Sequence, residues 1–359
     1  MNILFDFSVS NQTGAFQRIK ATLKFYDNLN GQFFILNSNL KNKIPPQNNN
    51  TIEFFNPKIK NRLMQNTGYI DAFIEKHGQP DIFFSYGIPV IKKIGVINWF
   101  HISNALTLST SNINISLSLK LKMIFFRKRI QKSIPFLNVV SGESDSTLKL
   151  FHQVFRKKNH IANVKLRNGF TTDEFNQSSY IKRNLDDLYA VAIGIQSYKR
   201  IDLAYKVFLD LQKERQNLNK FILIASPFDN LNDKFLVSNN VRKDKNVILI
   251  APTKRQEVLE LLKGAQTFIS MSQIENSSNA LLEASLFCNE LIVSDIPSHR
   301  EFLLENCNFD EITSPAAKKN LLNARKAIKD TSALKSWNEC IELFDNQAKK
   351  ILRIDQNLL

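Results

Sequence analysis

The chain has 359 residues, of which 43% are hydrophobic, and this is enough for two domains that each bury a core. No run of about 18 apolar residues occurs, so we expect no transmembrane helix. The 3 cysteines are scattered, which fits a reducing cytosol and predicts neither a disulfide framework nor a zinc site. Residues 1–168 contain 23 Lys and Arg against 8 Asp and Glu, whereas residues 169–359 contain 25 of each. The whole net charge of +15 therefore falls in the first half, which indicates an anionic partner for one domain only.

The first half alternates short apolar runs with helical patterns. The run at 2–7 lacks a basic start and contains Asp6, so it predicts a first strand and not a signal peptide. Gly14 follows, where this strand gives way to a helix, and it would let a substrate approach the backbone closely. Strands are predicted at 2–7, 32–36, 52–55, 82–85, 95–100 and 136–140, and helices at 14–28, 61–77 and 115–132.

The second half starts the alternation again after a turn. Asn168 and Gly169 form a strong turn signal, and we place a domain boundary there. Strands are predicted at 188–194, 221–226, 246–250, 267–271 and 291–294, and helices at 202–216, 254–264, 279–287, 297–305 and 336–353. Strands that alternate with helices predict an α/β fold with two doubly wound parallel sheets.

Two glutamates eight residues apart follow the strand at 267–271. Glu275 lies in a turn of small polar residues, and Glu283 lies on the first turns of the helix at 279–287. The free amides and the positive dipole end of a helix N-terminus bind anions, so Ser277, Ser278, Asn279 and Ala280 are candidate phosphate contacts. Two carboxylates on either side of a phosphate site suit the hydroxyl groups of a nucleotide-sugar.

This segment resembles the Glu-x7-Glu signature of retaining glycosyltransferases of family 4, which have the GT-B fold. The resemblance continues through Ser-Asp-Ile-Pro-Ser-His-Arg-Glu at 294–301, although Asn289 and Leu291 stand where the family usually has Gly and Pro. It implies a GT-B fold with an acceptor-side domain at 1–168 and a nucleotide-sugar domain at 169–339. The helix at about 340–359 would pack back on the first domain.

The loop after the strand at 188–194 resembles the diphosphate loop of the same family, which ends in Tyr-Lys-Arg-x-Asp-Leu. The resemblance implies that Lys199 neutralises the leaving diphosphate, and we expect this lysine to be exposed. The family usually has an arginine earlier in this loop, at the position of Gly194, and Arg200 is the candidate to replace it. No Asp-x-Asp ends an apolar strand, so we expect catalysis without a metal and without a cofactor other than the nucleotide-sugar substrate.

The resemblance also assigns roles to the carboxylates and to one histidine. Glu275 would hold hydroxyls of the donor sugar, and Glu283 would accept hydrogen bonds from the ribose. His101, at the end of the strand at 95–100, is similar to a first-domain histidine that touches the donor sugar. Attack by the acceptor on the face of the departing phosphate would retain the anomeric configuration.

The helix at 117–132 interleaves large apolar residues with six basic ones, Lys120, Lys122, Arg127, Lys128, Arg129 and Lys132, and contains no acidic residue. This pattern is typical of a helix that lies on an anionic membrane surface. Packing of its apolar residues into a core, with a solvated basic face, is the alternative.

The sequence therefore predicts a cytoplasmic, peripheral membrane hexosyltransferase that moves a sugar from a UDP- or GDP-sugar to a lipid-linked glycan of a bacterial cell surface. Alternatives are a nucleotide-sugar epimerase or phosphorylase of the same fold, a degenerate inactive transferase, and a basic nucleic-acid-binding protein. The last has no recognisable motif here, and it leaves the two glutamates without a role, so we expect no nucleic-acid partner.

Overall fold

The computed structural model describes residues 1–10, 13–56, 67–109, 113–156, 160–171, 188–226, 239–252, 254–306, 309–313, 321–326 and 334–356. Contacts divide the chain into two compact units. Unit 1 comprises Met1–Thr110, Leu117–Gly169 and Lys335–Leu359, and unit 2 comprises Ser111–Ser116 and Phe170–Leu334. The chain thus leaves unit 1 for unit 2 within the stretch where the turn signal lies.

The strands and helices of the described residues follow one another in close alternation. The strands are β1 (Ile3–Phe7), β2 (Phe33–Asn37), β3 (Thr51–Phe55), β4 (Ile82–Tyr86), β5 (Ile97–His101), β6 (Val139–Gly142), β7 (Ala162–Lys165), β8 (Leu188–Ile193), β9 (Leu218–Ile224), β10 (Val247–Ile250), β11 (Thr267–Ser270), β12 (Glu290–Ser294), β13 (Phe309–Thr313) and β14 (Leu321–Lys326). The helices are α1 (Thr13–Asp27), α2 (Gly68–His77), α3 (Leu117–Ser133), α4 (Asp145–Phe155), α5 (Ile201–Glu214), α6 (Asn239–Lys243), α7 (Arg255–Lys263), α8 (Asn279–Phe287), α9 (Pro297–Asn306) and α10 (Trp337–Gln356). Short 3-10 turns lie at Ser38–Lys43, Ala105–Leu108, Ile134–Phe136 and Ser197–Lys199.

The sheet of unit 1 is parallel and has the strand order β3-β2-β1-β4-β5-β6-β7. Its central strands β1, β4 and β5 are buried along their whole length, as expected when helices cover both faces of a parallel sheet. Alternate residues of β1 face opposite sides: Phe5 packs towards α1, whereas Leu4 packs with Phe73 of α2.

The C-terminal helix α10 belongs to the core of unit 1. Its Phe344 ring lies 5.0 Å from the ring of Trp99 and 5.3 Å from the ring of Phe84, both on the central strands. The hydroxyl of Tyr26 on α1 donates to Asp345 of α10 at 3.0 Å. Residues from the two ends of the chain therefore share one core, although more than 300 residues separate them in sequence.

The sheet of unit 2 has the order β10-β9-β8-β11-β12-β14-β13. Its strands from β10 to β12 are parallel, and β14 and β13 extend the sheet in antiparallel fashion. Helix α5 covers one face through Phe208, and α7 and α8 cover the other through Leu262 and Leu281. The prediction of two doubly wound α/β sheets is confirmed.

Several elements were missing from the sequence prediction. Helix α4 carries an N-cap signal, since Ser144 accepts from the Thr147 amide at 3.2 Å, and an apolar face that includes Phe151 could have revealed it. Strands β13 and β14 form by pairing at the sheet edge, which no local pattern shows. The predicted helix at 61–77 begins at Gly68 within the described residues, and residues 57–66 lie outside them.

Candidate functional site

The carboxyl edge of the second sheet has a point where the strand order reverses. Strand β8 lies between β9 and β11, so the connections after β8 and β11 lead away in opposite directions and leave a crevice between them. The amide of Gln273, in the loop after β11, donates to the carbonyl of Tyr198, in the loop after β8, at 2.9 Å. The two loops that carry the predicted site residues therefore touch.

Lys199 and Glu275 form an ion pair between these loops, in which Lys199 Nζ donates to Glu275 Oε1. The hydroxyl of Ser272 donates to the same oxygen at 2.7 Å. Burial disfavours both charges, but their attraction outweighs it, so the pKa of Lys199 is raised and the pKa of Glu275 is lowered. The two side chains are only 15% and 12% exposed. The expectation of an exposed Lys199 is wrong, because the lysine turns inward to pair with Glu275.

The loop after β8 needs a glycine at its start. Gly194 has φ +90, and a Cβ there would lie 2.9 Å from Gln196 Oε1 and 3.3 Å from Lys199 Cε. An arginine at this position would be strained and would press on the lysine. Arg200, the candidate replacement, instead donates to both carboxylate oxygens of Asp202, from Nε at 2.9 Å and from Nη2 at 2.7 Å. In this structure Arg200 therefore stabilises the start of α5 and does not join the Lys199–Glu275 pair.

His299 is a third group near this ion pair, and it was not among the predicted site residues. Its Nδ1 lies 3.0 Å from the carbonyl oxygen of Ser294, and its ring is 1% exposed. Burial lowers the pKa of His299; the carboxylate of Glu275 opposes this effect, and the charge of Lys199 adds to it. The histidine therefore lies within electrostatic range of both members of the ion pair and is neutral at pH 7. Its place in the Ser-Asp-Ile-Pro-Ser-His segment was the available signal.

The N-terminus of α8 follows directly on Glu275. Ser278 is the N-cap residue, and its hydroxyl accepts from the amide of Leu281 at 3.2 Å. Asn279 and Ala280 are the first two residues of the helix, and the Oδ1 atom of Asn279 is buried without a hydrogen-bond partner. Ser277 precedes the cap residue. Binding of an anion by the amides of this first turn stays a prediction.

Glu283 lies one turn further along α8, within the run 281–285 in which every residue is buried, and its side chain is 10% exposed. Arg255, the first residue of α7, pairs with it through Nη1 and Oε1 at 2.7 Å. No sequence signal marks Arg255, because only the packing of α7 beside α8 brings the two side chains together.

Solved structures share this architecture at low sequence identity. Anabaena HepE in complex with UDP and glucose matches with a TM-score of 0.60 at 14% identity, over 100% of this chain and 98% of that one. An α,α-trehalose-phosphate synthase (UDP-forming) from Burkholderia vietnamiensis matches with 0.59 at 8% identity, over 98% and 95%. The apo structure of OtsA matches with 0.61 at 10% identity, over 84% and 86%. The chain has the GT-B fold. No protein-family model and no curated relative matches the sequence.

In the first unit of this GT-B chain, His101 lies at the carboxyl end of β5, as predicted. Its Nδ1 is 2.9 Å from the hydroxyl of Ser141, its ring is stacked 5.0 Å from the ring of Tyr86, and none of its surface is exposed. Burial, and then the charge of Arg18, lowers the pKa of His101 well below its usual value, so the ring is neutral. A contact with the donor sugar stays a prediction for this buried ring.

Gly14 is the second residue of α1, where the GT-B chain leaves β1. Residues 11 and 12, which precede this helix, lie outside the described residues. The close approach of a substrate to the Gly14 backbone therefore stays a prediction.

Among the described residues, no helix is both long and apolar enough to span a membrane.

Proposed function

We propose that this chain is a retaining glycosyltransferase that takes its sugar from a nucleotide-sugar. The observation that carries the proposal is the meeting of Lys199 and Glu275 where the strand order of the second sheet reverses. Ligands of open α/β sheets bind at such points. A cation, a carboxylate and a helix N-terminus in one crevice suit a diphosphate that carries a sugar.

The ion pair has a direct use in this reaction. A bound diphosphate would take over the ammonium group of Lys199, and the carboxylate of Glu275 would then accept hydrogen bonds from sugar hydroxyls. The bond between the anomeric carbon and the phosphate oxygen breaks, and the acceptor oxygen bonds to that carbon on the same face. The proton of the acceptor hydroxyl passes to the departing phosphate. Lys199 and the start of α8 stabilise the negative charge that develops there.

The donor we infer is a UDP-hexose, because HepE, which shares the fold over the whole chain, was solved with UDP and glucose. Lys199 and the dipole of α8 supply the positive charge in this scheme, so turnover should continue in EDTA. Loss of turnover in EDTA that Mn²⁺ restores would contradict this part of the proposal.

Thermal unfolding with UDP and GDP tests the binding proposal. A ligand at about 100 times its Kd stabilises the native state by about 2.7 kcal/mol, so the melting temperature should rise. Glu275→Gln and Lys199→Met should weaken this shift. Glu290→Gln is the matched control, because Glu290 is also buried and ion-paired but begins β12, at the opposite edge of the sheet. If neither nucleotide shifts the wild type, the proposal is wrong.

The acceptor we infer is a glycan on a lipid carrier, and helix α3 supports this. Leu117, Leu121, Ile124 and Phe125 are 73%, 60%, 48% and 49% exposed, and their spacing places them on one side of the helix. Met123, Phe126 and Ile130 are buried on the other side. The core therefore uses only half of the apolar residues of α3, and the outward half is available to a membrane.

Four of the six basic residues of α3 can take part in such docking: Lys120, Lys122, Lys128 and Lys132 are exposed. The other two of the six, Arg127 and Arg129, are engaged within unit 1. Arg129 is 3% exposed and donates to the carbonyl of Pro89 at 3.2 Å, and Arg127 donates to the carbonyls of Thr107 and Ser109. Exposed apolar side chains between lysines favour an anionic bilayer surface, where a lipid-linked acceptor presents its glycan.

A further inference from the structure

Arg255 and Glu283 join two helices of unit 2 beside the candidate donor site. Arg255 Nη1 lies 2.7 Å from Glu283 Oε1, and the side chains are 30% and 10% exposed. The neighbours of Glu283 on α8, Leu281, Leu282 and Ala284, are all buried. A carboxylate in such surroundings is costly unless a cation or hydrogen-bond donors compensate its charge. Arg255 supplies this compensation.

The position of Arg255 is unfavourable for its own helix. It is the first residue of α7, and the preceding residue, Lys254, makes no side-chain cap. Positive charge at a helix N-terminus opposes the helix dipole, so this position is unfavourable for an arginine. Residues that break a local rule and are compensated by a distant partner are expected where function requires them. The partner of Arg255 is the second glutamate of the Glu-x7-Glu pair.

We propose that Arg255 is a positioning residue of the donor site. It holds the carboxylate of Glu283 in its ionised form and in the orientation that accepts hydrogen bonds from the two hydroxyls of the nucleotide ribose. An ionised carboxylate offers about four acceptor sites, so one hydrogen bond from Arg255 is compatible with binding a vicinal diol. The inference rests on the proposed function, because it assumes that a nucleotide occupies this crevice.

The test compares UDP with 2′,3′-dideoxy-UDP, which keeps the base and the diphosphate but lacks both hydroxyls. Calorimetric titration of Arg255→Gln should show UDP affinity reduced about tenfold, the effect of losing a hydrogen bond to a charged group. The affinity for the dideoxy nucleotide should change less than about twofold, because this ligand has no ribose hydroxyls for Glu283 to bind. Arg255→Lys should recover part of the loss. Glu283→Gln should behave like Arg255→Gln, and the double variant should lose little more.

Arg215→Gln is the matched control. Arg215 pairs with the buried Glu290 at 2.7 and 2.9 Å in the same unit, but Glu290 begins β12 at the amino edge of the sheet. This variant should lose stability and keep the wild-type ratio of the two affinities. If Arg255→Gln does not fold, the same ratio measured for Arg255→Lys and Glu283→Gln decides.

Four results would overturn the inference. An equal loss of affinity for both nucleotides in Arg255→Gln would mean that Arg255 acts on the base or the diphosphate. Unchanged affinities in this variant would indicate that Arg255 has no role in binding. Equal affinities of the wild type for UDP and dideoxy-UDP would show that Glu283 does not bind ribose, although the proposed function would stand. If the wild type binds neither UDP nor GDP, the proposed function fails, and this inference fails with it.

Discussion

Lys199 and Glu275 are charged side chains that the folded chain removes from most of their water. Lys199→Met leaves the carboxylate of Glu275 without its cation in a site that is 12% exposed. We expect a loss of about 3 kcal/mol in the free energy of unfolding, the lower end for a broken buried pair, together with loss of activity. Urea unfolding measures this, with Lys76→Met as the control, because the pair of Lys76 with Glu53 is exposed and contributes little.

The pKa values of the two partners determine the pH range in which this ion pair stabilises the protein. The pKa of Glu275 is lowered, so its contribution is present above the usual pKa of 4.5 and is lost as the pH falls through the lowered value. The pKa of Lys199 is raised, so its contribution is present below 10.5 and is lost only as the pH rises through the raised value. Between these limits the pair does not make stability depend on pH.

The buried histidines act differently, and they make the protein sensitive to mild acid. His101 and His299 have lowered pKa values, so near pH 6.5 the unfolded chain binds protons that the folded chain does not. Stability should therefore fall as the pH drops below 6.5, by up to about 1.4 kcal/mol per pH unit for each histidine. Urea midpoints between pH 7.5 and 5 should fall more steeply for the wild type than for His101→Asn with His299→Asn. Equal slopes would contradict this account.

Helix α3 has two apolar sides, and only the inward side takes part in the core of unit 1. Changing Leu121, Ile124 and Phe125 to serine should leave folding nearly unchanged, since all three are about half exposed or more. Co-sedimentation with anionic vesicles should fall strongly, because the apolar contribution to binding is removed.

Changing Lys120, Lys122, Lys128 and Lys132 to glutamine should also release the protein from the vesicles, because each contributes roughly 1 kcal/mol near such a surface. High salt should have the same effect, since it screens the attraction. The matched control changes four exposed lysines of unit 2 to glutamine instead: Lys206, Lys213, Lys243 and Lys245. Equal binding by all variants would refute docking through α3.

At the scale of the whole molecule, the C-terminal residues complete the core of the N-terminal unit. Phe344 is 3% exposed among the aromatic rings of the central strands. Phe344→Ala should cost about 3–4 kcal/mol of unfolding free energy, measured by urea unfolding. Leu343→Ala, at a neighbouring residue that is 47% exposed, should change it by only about 0.5 kcal/mol. A small effect of Phe344→Ala would mean that α10 is not part of the core.

Local sequence patterns were sufficient to predict many of the strands and helices of this protein. The alternation of apolar runs with helical periods predicted both sheets, since strand and helix periods depend only on neighbouring residues. The turn of small residues predicted that a helix starts beside Ser278, and Ser278 is indeed its N-cap residue. These features depend on a short stretch of chain, and therefore the sequence alone determines them. The anion site at this helix start and the roles of Lys199, Glu275 and Glu283 stay predictions.

Other features required the tertiary structure, because they join residues far apart in sequence. The pairing of Lys199 with Glu275, and of Arg255 with Glu283, follows from which strands and helices become neighbours. Only packing decides that Arg129 is buried while Leu121 is exposed, although both lie on one helix of mixed composition. Burial then determines protonation, which is why His101 and His299 are neutral: the cost of removing charge from water depends on the surroundings that the fold creates.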